Sequence, residues 1–62
     1  MVEVDKSVFW DFINSYPREL HSNDYVYAGG SVYSIVDGTK EIARIVREGK
    51  KDDRYYLIRE EK

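Results

Sequence analysis

The residue types that could perform acid, base or nucleophilic chemistry are few in this chain of 62 residues. Its one histidine, His21, lies close in sequence to Ser22 and Asp24, which are the residue types of a serine-hydrolase triad. All three fall in one short polar stretch, whereas a triad needs a rigid scaffold that holds each partner at hydrogen-bonding distance. We therefore predict neither a catalytic role nor a metal site for His21.

Paired carboxylates occur at Asp52-Asp53 and at Glu60-Glu61. Adjacent residues of a turn or a tail point in different directions and face water, so these pairs are typical of solubility charges. The glycines fit neither the phosphate-binding pattern GxxxxGK[ST] nor the dinucleotide pattern GxGxxG. The chain has no cysteine, which excludes disulfides, thiol nucleophiles and zinc–thiolate sites. We predict a protein that is not an enzyme and that uses no metal or cofactor.

Aromatic residues suit a binding protein better. Six tyrosines and one tryptophan supply large contact areas at a low cost in side-chain entropy, and both types are enriched in interface hot spots. The candidate interface anchors are Trp10, Tyr25 and Tyr27. The first hypothesis is therefore a protein partner or a homodimer, formed across a strand edge or a tyrosine-bearing face.

Basic residues in the C-terminal third support an alternative hypothesis. A small sheet that exposes aromatic and basic side chains can stack single-stranded bases and neutralise phosphates. The nucleic-acid candidates are Arg44, Arg54, Tyr55, Tyr56 and Arg59. The formal net charge of −2 argues against a dedicated nucleic-acid binder. Convergence of the arginines with a tyrosine on one face would favour nucleic acid, whereas charges interspersed with acidic groups would favour a protein partner.

These side chains must be positioned by a helix and a sheet. Asp5 is a good N-cap, and Val4 can pack on Phe9 as a hydrophobic staple. Apolar residues then follow at helical spacing until Pro17, which disfavours the helical conformation of the residue before it. The pattern predicts one helix over about residues 6–15.

The pattern changes to turns and strands at Asp24. Gly29-Gly30 and Asp37-Gly38 suit two-residue type I′ loops, which would place Tyr27 opposite Val32. The segment RYYLIRE supplies the last strand, so we expect a four-stranded antiparallel meander over about residues 24–60.

The predicted register leaves both sheet faces half apolar, although a one-sided sheet should alternate cleanly. One face carries Tyr25, Tyr27, Val32, Val36, Ala43 and Ile45, and the other carries Val26, Tyr33, Ile35, Ile42 and Val46. Two arrangements resolve this conflict. Either bulges curl the sheet into a small SH3-like barrel, or residues 40–48 form a second helix that begins near Thr39 and ends at Gly49. We favour a strand there, because a hairpin signal precedes it.

The fold class that we predict is α+β: a single domain of residues 1–62 with an N-terminal helix packed on an antiparallel meander. The predicted core contains Val8, Phe9, Phe12, Ile13, Val26, Val32, Ile35, Ile42, Val46, Leu57 and Ile58. No apolar run reaches the length of a membrane span, and the N-terminus lacks a signal pattern, so we expect a cytoplasmic protein without a membrane partner. The expected function is a small binding or regulatory module that acts through a protein–protein interface.

Overall fold

The computed structural model describes residues 1–58, which form one helix and one antiparallel sheet of five strands. The elements follow the chain as β1 (Val2–Val4), α1 (Lys6–Asn14), β2 (His21–Tyr27), β3 (Gly30–Asp37), β4 (Lys40–Glu48) and β5 (Arg54–Leu57). The strand order across the sheet is β1-β5-β4-β3-β2. The α+β fold class is confirmed. The SH3-like barrel is wrong, because β1 and β2 lie at opposite edges of an open sheet.

The helix α1 follows the sequence signals closely. Asp5 has the extended backbone of an N-cap, with φ −69° and ψ 155°, although its side chain makes no capping hydrogen bond. Val4 is partly buried and packs against the core cluster to which Phe9 belongs. The helix ends at Asn14, and the Ser15 N–H donates to the carbonyl of Asp11 at 3.1 Å.

Two strands depart from the prediction. Val2–Val4 forms an unpredicted fifth strand that pairs with β5, with Val4 opposite Tyr55. The strand β2 begins at His21 rather than at Asp24, so part of the expected connector is strand. The alternative of a second helix over residues 40–48 is wrong, since this segment is the strand β4.

Both hairpin loops lie one residue away from their predicted positions. The loop residues are Ala28-Gly29 and Gly38-Thr39, and Tyr27 therefore pairs with Gly30. Each loop has a single positive φ, +90° at Gly29 and +64° at Gly38. A type I′ turn needs two such residues, so the predicted turn type is wrong.

A β-bulge in β4 explains why the predicted faces fail beyond residue 42. Ile35 pairs with Ala43 and Val36 pairs with Glu41, which leaves Ile42 as the extra residue. Because two residues of β4 oppose one of β3, Ile42 and Ala43 both enter the core. Ala43 and Ile45 therefore lie on the face opposite to the predicted one.

The core lies between α1 and one face of the sheet. Its buried residues are Phe9, Ile35, Ile42, Ala43 and Leu57, and the ring centroids of Phe9 and Tyr55 are 5.1 Å apart. Five predicted core residues lie outside this core. Val8 is 47% exposed and Val26 is 86% exposed. Val32 and Val46 pair with each other on the sheet face away from α1, and Ile58, just after β5, is only partly buried. The helix has only nine residues, which span about 14 Å, and Val26 lies on an edge strand that the core does not include.

Candidate protein-binding surface

The sheet has a covered face, which packs against α1, and an open face on its other side. Side chains alternate between the faces along each strand. The open face carries valines, tyrosines and a polar centre, because the covered face takes the alternate positions that include Ile35 and Ala43. Its members are Glu3, His21, Asn23, Tyr25, Tyr27, Val32, Ser34, Val36, Glu41, Arg44, Val46, Glu48, Arg54 and Tyr56.

A hydrogen-bonded cluster forms the polar centre of the open face. Ser34 is only 3% exposed, and its Oγ donates to Glu41 Oε2 at 2.5 Å. Arg44 donates to the same carboxylate from Nε at 3.0 Å and from Nη2 at 2.6 Å. These bonds, foremost the one from Arg44, hold the pKa of Glu41 below its ordinary value. Arg44 is therefore engaged within the fold through two of its five N–H groups.

Three consecutive residues of β2, named here the tyrosine edge, carry the most exposed apolar surface near the open face. Tyr25 is 56% exposed, Val26 is 86% exposed and Tyr27 is 45% exposed. Tyr25 and Tyr27 lie on the open face. Val26 lies on the same side of the sheet as α1, but the core beneath the helix does not extend to it. The tyrosine edge therefore presents apolar surface on both sides of an edge strand.

The backbone of β2 has hydrogen-bonding groups that no strand of residues 1–58 satisfies. Tyr27 and Gly30 close a two-residue loop, so their N–H and C=O groups face each other. Along β2, residues whose backbone groups point towards β3 then alternate with residues whose groups point away from it. The backbone groups of Ser22, Asp24 and Val26 consequently point away from β3. Since β2 ends the sheet, they form an open row of donors and acceptors.

Trp10 lies apart from the two tyrosines with which the sequence grouped it. Its ring packs edge-on against Phe9, with centroids 5.1 Å apart, and it remains 37% exposed. It lines a groove of about 460 Å³ together with Val26, Tyr33 and Arg47. The fold therefore separates Trp10 from Tyr25 and Tyr27 by the thickness of the sheet, and Val26 is the member of β2 that lies between the two tyrosines and also lines this groove.

Three of the four candidates for nucleic-acid binding within residues 1–58 share the open face, namely Arg44, Arg54 and Tyr56. Tyr55 packs against Phe9 on the covered face, whereas Tyr56 pairs with Arg44 on the open face. A side-chain hydrogen bond to Tyr56 raises the pKa of Arg54, and the negative charges of Glu3 and Glu48 raise it further. Arg59 lies outside the described residues.

A further arginine of the same region is also paired with an acidic residue. Arg47 donates to both carboxylate oxygens of Asp53, at 2.7 and 3.1 Å, and this lowers the pKa of Asp53. The arginines of residues 44–54 therefore alternate with acidic neighbours, and they do not form one basic surface.

The residue types of a triad do not assemble. His21, Ser22 and Asp24 lie along one strand, where successive side chains point to opposite faces, so His21 does not share a face with the other two. The carboxylate near His21 is that of Glu19, at 3.9 Å on the surface. Within residues 1–58, no group of three or more histidine and acidic side chains could hold a metal ion.

Sequence reasoning missed the role of Val26, which it assigned to the core. The alternating pattern of β2 does not show how much of the sheet the helix covers. Val26 is recognised as exposed only once β2 is placed at the sheet edge. The helix of the described segment is too short and too polar to cross a membrane. No known family, curated protein or solved structure matches this chain.

Proposed function

We propose that this protein is a non-enzymatic binding module that acts through a protein–protein interface on β2. The observation that carries this proposal is the tyrosine edge: Tyr25, Val26 and Tyr27 are all exposed on a strand whose outer backbone groups have no partner strand in the described part of the chain. Tyrosine gives large contact area with few rotatable bonds, and an uncovered strand edge adds main-chain hydrogen bonds. Both features suit the addition of a strand from a protein partner.

The contrast between the two sheet edges supports β2 as the binding edge. The strand β1 has three residues and includes Glu3, and a short charged strand is a poor template for pairing. The strand β2 has seven residues, contains no proline or lysine, and has Asp24 as its one acidic residue. The edge that lacks these protective features is therefore the one that bears the exposed tyrosines.

Charge pairing favours a protein partner over nucleic acid. Phosphate binding depends on cationic groups that can exchange solvent counterions for phosphate. Arg44 and Arg47 each bind a carboxylate through two hydrogen bonds, and the net charge of the chain is −2. Binding to a polyanion would have to break these pairs.

Site-specific photo-crosslinking in cells that make the protein tests the proposal. A benzophenone amino acid would replace Tyr25 on the tyrosine edge, Trp10 on the covered side, or Thr39 in the β3–β4 loop as the control. We expect discrete protein adducts from position 25 and background labelling from position 39. Equal labelling at positions 25 and 39 would contradict the proposal, and strong adducts from position 10 alone would move the interface to the other side of the sheet.

A further inference from the structure

We infer that the strand added at the tyrosine edge belongs to a second copy of this chain, so that two sheets join through antiparallel pairing of β2 with β2. This inference rests on the proposed function, because it names the partner of the same edge. The pairing would produce one continuous sheet of ten strands with a two-fold axis perpendicular to it. A symmetric dimer of this kind needs a strand that is complementary to itself.

The register of the hairpin limits how two copies can pair. A two-fold axis perpendicular to the sheet must pass beside one residue of β2, which then faces its own copy, and residues on either side pair at equal separations. The outward backbone groups belong to Ser22, Asp24 and Val26, so only these can exchange hydrogen bonds with the second strand. The choice of the axial residue then decides which side chains meet.

Charge and strand length together select the axis. An axis at Asn23 opposes no like charges, but it places Val26 opposite Leu20 and Tyr27 opposite Glu19, both outside β2, so most of the tyrosine edge stays unpaired. An axis at Asp24 would place two carboxylates directly opposite each other, which destabilises a strand pair. An axis at Tyr25 instead places Asp24 opposite Val26 in both halves, and each of these pairs can exchange two backbone hydrogen bonds. An axis at Val26 would leave Asp24 opposite Ala28, which lies in the loop rather than in the strand.

The axis at Tyr25 also brings complementary side chains together on the open face. The two Tyr25 rings meet as a non-hydrogen-bonded pair, the position where cross-strand side chains approach most closely. Asn23 lies opposite Tyr27 in each half, so an amide faces a phenol twice. The geometry thus places an aromatic pair on the axis and an amide opposite each phenol, and it opposes no like charges, while Asp24 faces the side chain of Val26 in both halves.

Single-cysteine variants test this register directly, because the chain has no other cysteine. At the axial position the two Cα atoms would lie about 4.5 Å apart, within the range that a disulfide spans. We expect Tyr25→Cys to form a disulfide dimer at least about tenfold faster than Val26→Cys, whose copies would be two positions out of register. Thr39→Cys, in the loop at the far end of β3, is the control for random collision. Equal oxidation rates at positions 25 and 39 would overturn the inference.

The solution mass of the unmodified protein gives an independent test. Sedimentation equilibrium should give twice the mass of one chain at high concentration. Val26→Pro should weaken the dimer at least about tenfold, because it removes an outward N–H while leaving the hydrogen bonds between β2 and β3 intact. Val8→Lys, at an exposed position of α1, should leave the association unchanged.

A monomer at every concentration would overturn the inference about the second copy. The proposed function would still stand if position 25 formed crosslinks to another protein in cells, so the two failures are distinguishable. Unfolding curves of Val26→Pro serve as the fold control. If that variant is unfolded, Val26→Glu provides the same test, since it places a carboxylate directly opposite Asp24 of the second copy in both halves without changing the backbone, and like charges opposite each other destabilise a strand pair.

Discussion

Arg44 binds both carboxylate oxygens of Glu41 on the open face, from Nη2 to Oε1 at 2.6 Å and from Nε to Oε2 at 3.0 Å. The two residues lie on either side of the bulge in β4, and Ser34 on the adjacent strand contributes a third hydrogen bond to the same carboxylate. The cluster therefore ties β3 to β4 at the point where the register shifts. It also occupies the centre of a face that the helix does not cover.

We expect Glu41→Gln to destabilise the fold by about 1–2 kcal/mol, because it replaces charge-assisted hydrogen bonds by neutral ones and leaves Arg44 without its counter-charge. Glu48→Gln, on an exposed position of the same strand, is the matched control and should change stability little. Urea unfolding of both variants measures the difference. Equal midpoints for the two would contradict a stabilising role for the cluster.

Acid should destabilise the protein in the range where Glu41 and Asp53 gain protons. Arginine hydrogen bonds lower the folded-state pKa of Glu41 from 4.5 and that of Asp53 from 3.8. The folded state then binds fewer protons than the unfolded state, so this stabilisation is complete above the unfolded pKa and disappears as the pH falls through the folded value. Thermal unfolding between neutral and acidic pH should show this loss, and Glu41→Gln should reduce its slope. A slope unchanged by Glu41→Gln would count against the Glu41 contribution.

Gly30 and Gly38 are required for different physical reasons, which alanine substitution can separate. A Cβ at Gly30 would collide with the carbonyl oxygen of Arg47, so Gly30→Ala must push β3 and β4 apart. Gly38 has open space around it, and its cost is only the positive φ of +64°. We expect Gly38→Ala to cost about 1–2 kcal/mol and Gly30→Ala to cost more. Equal losses in chemical denaturation would show that β4 does not constrain Gly30.

Binding of oligonucleotides should be negligible even at low salt. The electrostatic component of nucleic-acid binding is strongest under those conditions, yet Arg44 and Arg47 are paired with carboxylates. Fluorescence anisotropy with a labelled mixed single-stranded oligonucleotide measures this. Saturable binding that Arg54→Ala abolishes and Lys6→Ala preserves would favour the nucleic-acid alternative instead.

Local signals predicted the helix and most of the sheet. Asp5, an apolar stripe and Pro17 are all contained within a few turns of chain, so α1 is confirmed to within one residue at its end. The strand β4 was predicted because a glycine hairpin precedes it and because the strand β5 needs a neighbour. The structure confirms it between β3 and β5. These features depend on residues close together in sequence.

Features that depend on distant contacts were missed. The strand β1 consists of three residues without a turn signal, and it exists because Val4 meets Tyr55, more than fifty residues later. The position of the first loop depends on which glycine packs against the Arg47 carbonyl oxygen, and that glycine is Gly30. The sequence Gly29-Gly30 does not show which of the two it is. The bulge at Ile42 then exchanges the faces of all later residues of β4.

The candidate surface could be predicted only in part. Tyr25 and Tyr27 share a face as expected, because residues two apart in a strand point to the same side. The shift of the loop by one residue also leaves them on the face that carries Val32, as predicted. Their separation from Trp10 and the exposure of Val26 follow from the length of α1 and from the place of β2 at the sheet edge. Neither property belongs to a local pattern.

The outward amide of Val26 provides the most direct test that the edge of β2 pairs with a second copy. Residue-resolved amide hydrogen exchange should be followed by NMR as the protein concentration is raised. We predict that exchange at Asp24 and Val26 slows by about tenfold or more as dimers form, whereas Tyr25, whose N–H faces β3, stays protected throughout. Fast exchange at Val26 that does not change with concentration would contradict the pairing.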